Sequence, residues 1–289
     1  MRIDPEKSRQ ILRRMGAVAE HLRLPFRSRS WRGQAGNWLG AGTGSSIDFQ
    51  DHRPYLPGDD PRYIDWRAYA RTGHYTMKLY REEVSPAVDL ALDVSQSMFV
   101  NEAKVTRVLE LLYFAIESAR RAGSALHCFA VDADQVRRLE IEQALTGDFG
   151  AGERSPGAPQ LGRVLWRSGS MRIFISDLLF AGTPGALLTN LSAGRARGVI
   201  FAPRAAAESA PLWTGNIEFI DCETQRKRVQ LVSGELLERY ARSYARHFAL
   251  WREAARKHDV VLAGVPAEPD FQDALRAEAL AMGAVELCA

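Results

Sequence analysis

The sequence predicts a doubly wound α/β fold with a mostly parallel sheet, preceded by a helix and a small β-containing segment. Three observations carry that expectation. From residue 87 onward, short apolar runs alternate with longer amphipathic stretches, the rhythm of strands separated by covering helices. The runs are continuous rather than alternating, as strands buried on both faces require. The longer stretches repeat apolar residues at helical spacing, for example Leu109, Leu112, Tyr113 and Ile116.

In chain order, residues 4–23 predict a helix with Ile11, Leu12, Met15, Val18, Ala19 and Leu22 on one face. Asp4 and Pro5 supply an N-cap and a first-turn proline, and Pro25 stops the helix. Five glycines between residues 33 and 46 predict a loop. Its Gly40-Ala-Gly42-Thr-Gly44 has a loose likeness to a phosphate-binding turn, but it follows no clear strand and lacks the Lys-Ser/Thr ending. Residues 46–83 read as mixed, with a Pro-Gly-Asp-Asp turn at 57–60 and a strand at 75–80.

The larger part then reads as strand 87–94, helix 101–122 closed by Gly123, and strand 125–131. Residues 140–160 read as irregular, with a short helical stretch at 161–166. Strand 171–176, helix 184–193 and strand 198–202 follow, then a hairpin of 216–221 with 228–232. Helix 234–257, strand 260–264, helix 270–282 and a short strand at 285–287 complete the chain. The expected organisation is a basic helix and arm over 1–38, a Gly-rich linker and motif segment over 39–83, and the α/β domain over 84–289.

A chain of 289 residues that is 46% hydrophobic and 25% charged can bury a core without covalent staples. Its three cysteines, Cys128, Cys222 and Cys288, are odd in number and widely spaced, which argues against a disulfide framework and for a reducing compartment. Cys128 and Cys222 read as small core residues. There is no apolar run long enough for a membrane helix and no signal-peptide pattern, so a cytoplasmic location is expected. Residues 1–38 hold nine Lys or Arg against three Asp or Glu, while the remainder is slightly acidic. The arm, with Trp31 and Trp38, is read either as a solvated helix packed on the body or as a surface for anionic partners. A nucleic-acid binder using this basic arm is an alternative function, although nucleic acid is not the expected partner.

In a doubly wound sheet, ligands collect beyond the carboxyl ends of the strands, where the strand order reverses. Two predicted strands end in a carboxylate: Leu90-Ala-Leu92-Asp93-Val-Ser95-Gln-Ser97, and Arg172-Ile-Phe-Ile175-Ser176-Asp177. Asp93, Ser95 and Ser97 alternate, so a turning loop can aim three oxygens at one point. Hydroxyl and carboxylate oxygens suit a hard cation such as Mg²⁺, or Mn²⁺ or Ca²⁺. The bland alternative is that these side chains cap the following helix and satisfy loop amides.

Asp93-Val-Ser95-Gln-Ser97-Met98 resembles the Asp-x-Ser-x-Ser signature of von Willebrand A domains, and Asp177 resembles the carboxylate that family places after a later strand. The upstream run from Arg53 to Arg71, including Tyr55, Gly58, Asp59, Arg62, Asp65 and Trp66, is similar to the hallmark of domain-of-unknown-function family fifty-eight. Members of that family carry a von Willebrand A-like domain. The resemblance implies a metal-ion-dependent adhesion site at Asp93, Ser95, Ser97 and Asp177. It also implies a non-catalytic adaptor or chaperone-like role beside a MoxR-type AAA+ ATPase and a client protein. Many relatives carry two N-terminal membrane helices, and this chain resembles the shorter soluble form. The family's middle-loop threonine is missing, because the matching stretch reads Pro156-Gly157-Ala158-Pro159-Gln160-Leu161, with Ser155 nearby. A cation site lacking that oxygen is expected to bind more weakly.

The Arg53–Arg71 run itself has two readings. Asp65, Trp66 and Arg71 form a packing device of carboxylate, buried indole and guanidinium, or the arginines and aromatics anchor a partner.

Enzyme signatures are sparse. The chain has no Gly-x-Ser-x-Gly elbow, no Walker A motif and no His-x-x-x-His pair, and no catalytic residue is assigned. A metal-dependent phosphohydrolase using Asp93 as nucleophile is the enzymatic alternative. Such a site wants a second carboxylate and a lysine close by, and the sequence shows neither beside Asp93.

Overall fold

The computed structural model describes residues 3–26, 47–57, 61–82, 87–149 and 157–288. The expected Gly-rich linker, Trp31, Trp38, Gly58, Asp59, Ser155 and Pro156 lie outside those residues. The chain forms two compact units, one of residues 1–28 with 86–289 and one of 29–85. The sequence reading drew its boundaries at 38 and 83.

The larger unit is built on a six-stranded sheet. In chain order its strands are β4 (Val88–Asp93), β5 (Leu126–Val131), β6 (Val136–Leu139), β7 (Met171–Ile175), β8 (Arg197–Arg204) and β11 (Val260–Pro266). The spatial order is β11-β8-β7-β4-β5-β6, and every pairing is parallel except the β5–β6 edge. This is the doubly wound, Rossmann-like sheet that the sequence predicts. The chain leaves β4 toward β5, and later leaves β7 in the opposite direction toward β8. The strand order therefore reverses between the neighbours β4 and β7, opening a crevice at their carboxyl ends.

Helices cover both faces of this sheet. On one face α5 (Pro184–Ser192) and α7 (Gly234–Lys257) pack Leu187, Leu188, Leu191, Phe248 and Trp251 against Ala91, Phe129, Phe174, Ile200 and Leu262. Helix α3 (Glu102–Arg121) contacts β4, β5, β7 and β8. It is buried almost all round: α1 (Pro5–Val18) packs on its outer side, and Arg107 turns to the carbonyls of Ala267 and Pro269. Arg14 of α1 pairs with Glu110, and Ser8 bonds Tyr113. Asp4 caps α1 as expected, accepting from Glu6 N at 3.0 Å, with Pro5 in the first turn. Just beyond the helix, β1 (Leu22–Arg23) pairs with β12 (Glu286–Leu287).

Some local expectations are corrected. Strand β6 and helix α4 (Ile141–Thr146) fall in or beside the stretch read as irregular, and 161–166 contains only the short 3₁₀ turn Leu161–Arg163. The last helix runs as α8 (Phe271–Ala274) into a π-helical turn, Leu275–Ala279. Cys222 is not a core residue; it lies half-buried in the turn between β9 (Gly215–Ile220) and β10 (Lys227–Val232). Cys128 is buried in β5, and burial, with a contribution from Asp89, pushes its thiol up to about 12. All three cysteines are free.

In the smaller unit, β2 (Ile47–Pro54) and β3 (Thr76–Glu82) form an antiparallel pair with a bulge between Phe49 and Asp51. Helix α2 (Trp66–Thr72) links them and ends at Gly73 in the left-handed region, φ +72°.

Candidate functional site

The register of β4 and β7 brings the two predicted carboxylates together. Leu92 pairs with Ile175, so Asp93 and the Ser176-Asp177 step leave adjacent strands at the same level, on either side of the crevice. Asp93 and Asp177 are both buried. Ser176 Oγ donates to Asp93 Oδ2 at 2.6 Å, which ties one strand tip to the other. Asp93 Oδ1 accepts from Ser95 N at 2.9 Å, and this bond folds the loop back over the strand end. Ser95 then starts a 3₁₀ turn, Gln96–Phe99, and its Oγ lies 3.2 Å from Ser97 Oγ.

On the facing tip, Leu178 is held at φ +60°, a left-handed conformation that costs a non-glycine residue roughly 1–3 kcal/mol. The turn lets Leu178 N donate to Ser176 Oγ at 3.1 Å and Leu179 N donate to Asp177 Oδ1 at 3.0 Å. The strain therefore fixes both side chains of the Ser176-Asp177 pair. His247 of α7 bonds Leu178 O at 2.7 Å from outside.

Three further residues complete the site, none of them singled out by the sequence. Lys104 is fully buried and donates to Asp177 Oδ2 at 2.6 Å and to Glu208 Oε1 at 2.5 Å. Glu208 lies on the short helix α6 (Ala206–Ser209) that follows β8. Glu223, from the β9–β10 turn, accepts from Ser97 N at 3.1 Å. The lysine and second carboxylate that the sequence does not show beside Asp93 are present in the crevice, a correction to that expectation. They escaped notice because Lys104 reaches the crevice from the first turn of α3, eleven residues after Asp93. Inward-facing Lys104 carries a helical-face signal, but Glu223, in a polar turn, carries none.

The electrostatics follow from burial. Burial, reinforced by the charge of Asp177, pushes the Asp93 carboxyl up to about 7, against hydrogen bonds from Ser176 and Ser95 that lower it. Burial also opposes the charge on Lys104, but the carboxylates of Asp177 and Glu208 outweigh it and hold the ammonium above the usual lysine range. Among these groups, Asp93, Asp177, Glu208 and Glu223 stand against one ammonium, and the crevice favours added positive charge.

The donor set fits a hard divalent cation. Adjacent ligands of a Mg²⁺ octahedron stand about 3 Å apart, close to the separation of Ser95 Oγ and Ser97 Oγ. Each oxygen of Asp93 keeps lone-pair capacity beyond the bonds given above. Both oxygens of Asp177 are engaged, by Leu179 N and Lys104, so Asp177 is better placed to act through an intervening water than directly. Among the described residues no group of three or more His, Cys, Asp or Glu side chains forms a metal cluster, so the fit rests on serine oxygens.

The smaller unit distributes its motif residues differently from the packing reading. Asp65 is buried and caps α2, accepting from Arg67 N at 3.0 Å and Ala68 N at 3.1 Å. Trp66, expected as a buried indole, is 57% exposed and meets Tyr69 and Tyr75 edge-on. Arg71 is exposed, as is Arg62, whereas Arg53 and Tyr55 are half-buried. One Asp65 oxygen is turned onto the amides of the first turn of α2, and the indole that follows it lies on the exposed side of that helix.

Comparison with known proteins gives a family match over part of the chain. Residues 51–139 match the family described as Protein of unknown function DUF58. The matched stretch contains both the Arg53–Arg71 run, from Arg53 onward, and the Asp93 loop. The chain is similar to the crystal structure of conserved hypothetical protein BatB from Bacteroides thetaiotaomicron, with a TM-score of 0.37 and 13% identity over 68% of this chain and 98% of that one. No curated protein matches the sequence. Among the described residues no helix is long and apolar enough to cross a membrane.

Proposed function

We propose that the chain is a protein-binding adaptor that uses a divalent cation in the β4–β7 crevice to grip an acidic side chain of a partner. One observation carries the reading: two neighbouring strand tips bring Asp93 and Asp177 to the same level of one crevice, and the Asp93 loop carries Ser95 and Ser97 oxygens at the spacing of adjacent metal ligands. Asp93, Ser95 and Ser97 would hold the cation, and Asp177 would orient a water beside it. When bound, the cation supplies a Lewis-acidic position for a carboxylate. The chain's own work is orientation: Ser176 fixes Asp93, Lys104 fixes Asp177, and the strained Leu178 fixes both members of the pair.

A MoxR-type AAA+ ATPase as partner, with a client protein, rests on the resemblance of the Arg53–Arg71 run and not on the crevice. Exposed Trp66, with Arg62 and Arg71, supports a contact role for that segment. The test is a pull-down of the purified chain with a MoxR-type ATPase from the same genome. Retention is expected with Mg²⁺ and not with a chelator, and Asp93→Ala should lose it in both conditions. Asp93→Ala retained as strongly as wild type in Mg²⁺, with and without chelator, would remove the reading.

One observation favours a second reading. Lys104 beside Asp177 supplies the groups that a metal-dependent phosphohydrolase uses near an aspartate nucleophile. Against it, Lys104 is engaged by Asp177 and Glu208 rather than turned toward Asp93. Turnover of generic phosphate esters with Mg²⁺ or Mn²⁺, lost in Asp93→Asn, would instead establish that activity.

A further inference from the structure

The β9–β10 hairpin stands outside the main sheet as a two-stranded ribbon, and its turn reaches back to the crevice. The turn is shaped by Asp221, whose Oδ1 accepts from Glu223 N at 2.9 Å and Thr224 N at 2.7 Å. That shape leaves the Glu223 side chain free to extend toward the Asp93 loop. Glu223 Oε1 takes Ser97 N at 3.1 Å across 126 residues of sequence. Its Oε2 is buried and has no hydrogen-bond partner among the described residues. A buried carboxylate oxygen without a donor costs more than an ordinary lost hydrogen bond, so its retention needs a compensating group. The turn thus meets the Asp93 loop at Ser97.

We infer that Glu223 is a ligand of the crevice cation, supplied by the chain itself, and that the bound cation pins the β9–β10 hairpin over the site. The inference rests on the cation reading above and deepens it. Glu223 Oε2 joins Asp93, Ser95 Oγ and Ser97 Oγ as a fourth protein ligand, which offsets the absence of the middle-loop threonine. Three properties select Glu223. It is anchored by a backbone amide of the Asp-x-Ser-x-Ser loop itself, it presents a buried oxygen with no donor, and it is anionic where a hard dication is expected. A partner's carboxylate then meets a cation already bound by the chain's own glutamate. Partner binding is coupled to the position of the hairpin.

The test uses the full chain and Mn²⁺ as probe, read by electron paramagnetic resonance titration, with amide hydrogen exchange of 215–232 followed with and without Mg²⁺. Wild type is expected to bind Mn²⁺, and Mg²⁺ should slow exchange in the hairpin. Glu223→Gln and Glu223→Ala should each weaken Mn²⁺ binding at least about tenfold, the scale set by losing even a ligand's supporting partner. In both, the Mg²⁺-dependent protection of 215–232 should vanish. Asp93→Ala serves as the control for the site. If it loses Mn²⁺ while the Glu223 variants bind like wild type, the glutamate ligand is overturned and the cation reading stands. If the hairpin exchanges equally with and without Mg²⁺ in a wild type that binds Mn²⁺, the pinning is overturned. If wild type binds no Mn²⁺, both the inference and the cation reading fall.

Discussion

Lys104 decides how the crevice can carry two buried aspartates at all. Its ammonium sits between Asp177 and Glu208 with no exposure to solvent, and removing it leaves two carboxylates without a counter-charge. Breaking a buried pair from one side costs about 3–5 kcal/mol, so Lys104→Met should lower the unfolding free energy by that order in urea titration. Co-substitution of Asp177→Leu should recover part of the loss, because the partner left behind is then apolar. Asp93 makes a different prediction. Its folded carboxyl is raised to about 7 by burial and by Asp177, above the ordinary value of 3.8. The native state therefore holds a proton that the unfolded chain has released between those pH values. Without metal, stability should fall as pH rises from about 4 to about 7, by up to about 4 kcal/mol in total. Asp93→Asn should flatten that decline in denaturation curves recorded in chelator, and Mg²⁺ should counter it in wild type. An unchanged pH slope in Asp93→Asn would show that Asp93 is not the group responsible.

At the scale of elements, the long helix after β4 both covers the sheet and delivers Lys104, so its first turn matters. Asn101 caps it, its side chain accepting from Lys104 N at 3.2 Å. Asn101→Ala should cost about 1 kcal/mol in stability and weaken cation binding through Lys104, read by thermal melting and by metal titration on one sample. Comparison of elements also shows what local pattern could reveal. The buried strands and the long helices were legible because apolar periodicity is a property of each segment alone, and both strand-end carboxylates followed from it. The Asp4-Pro5 start of α1 was legible for the same reason. Strand β6 was hidden because Val136-Arg-Arg-Leu139 has only two apolar residues and pairs at an edge. Lys104, Glu208 and Glu223 were hidden because their partners lie 73, 104 and 126 residues away in the chain. Trp66 was misjudged because an indole beside a cap residue says nothing about which way the helix turns it.

For the whole molecule, the topology explains why one crevice gathers so many polar groups from so many elements. Reversal of strand order between β4 and β7 leaves their tips uncovered by either crossover. Into that gap come α3 with Lys104, α6 with Glu208 and the hairpin with Glu223, while α7 closes the side with His247. The N-terminal helix packs on the outer side of α3, where Arg14 meets the buried Glu110. The central claim is that the two strand tips form one cation site. Its most direct test is a crystal soaked in Mn²⁺ and measured for anomalous scattering. The account predicts a single peak roughly 2.1 Å from both Ser95 Oγ and Ser97 Oγ, lost in Asp93→Ala. Wild-type crystals with Ser95, Ser97 and Asp93 well ordered and no peak between them would contradict it.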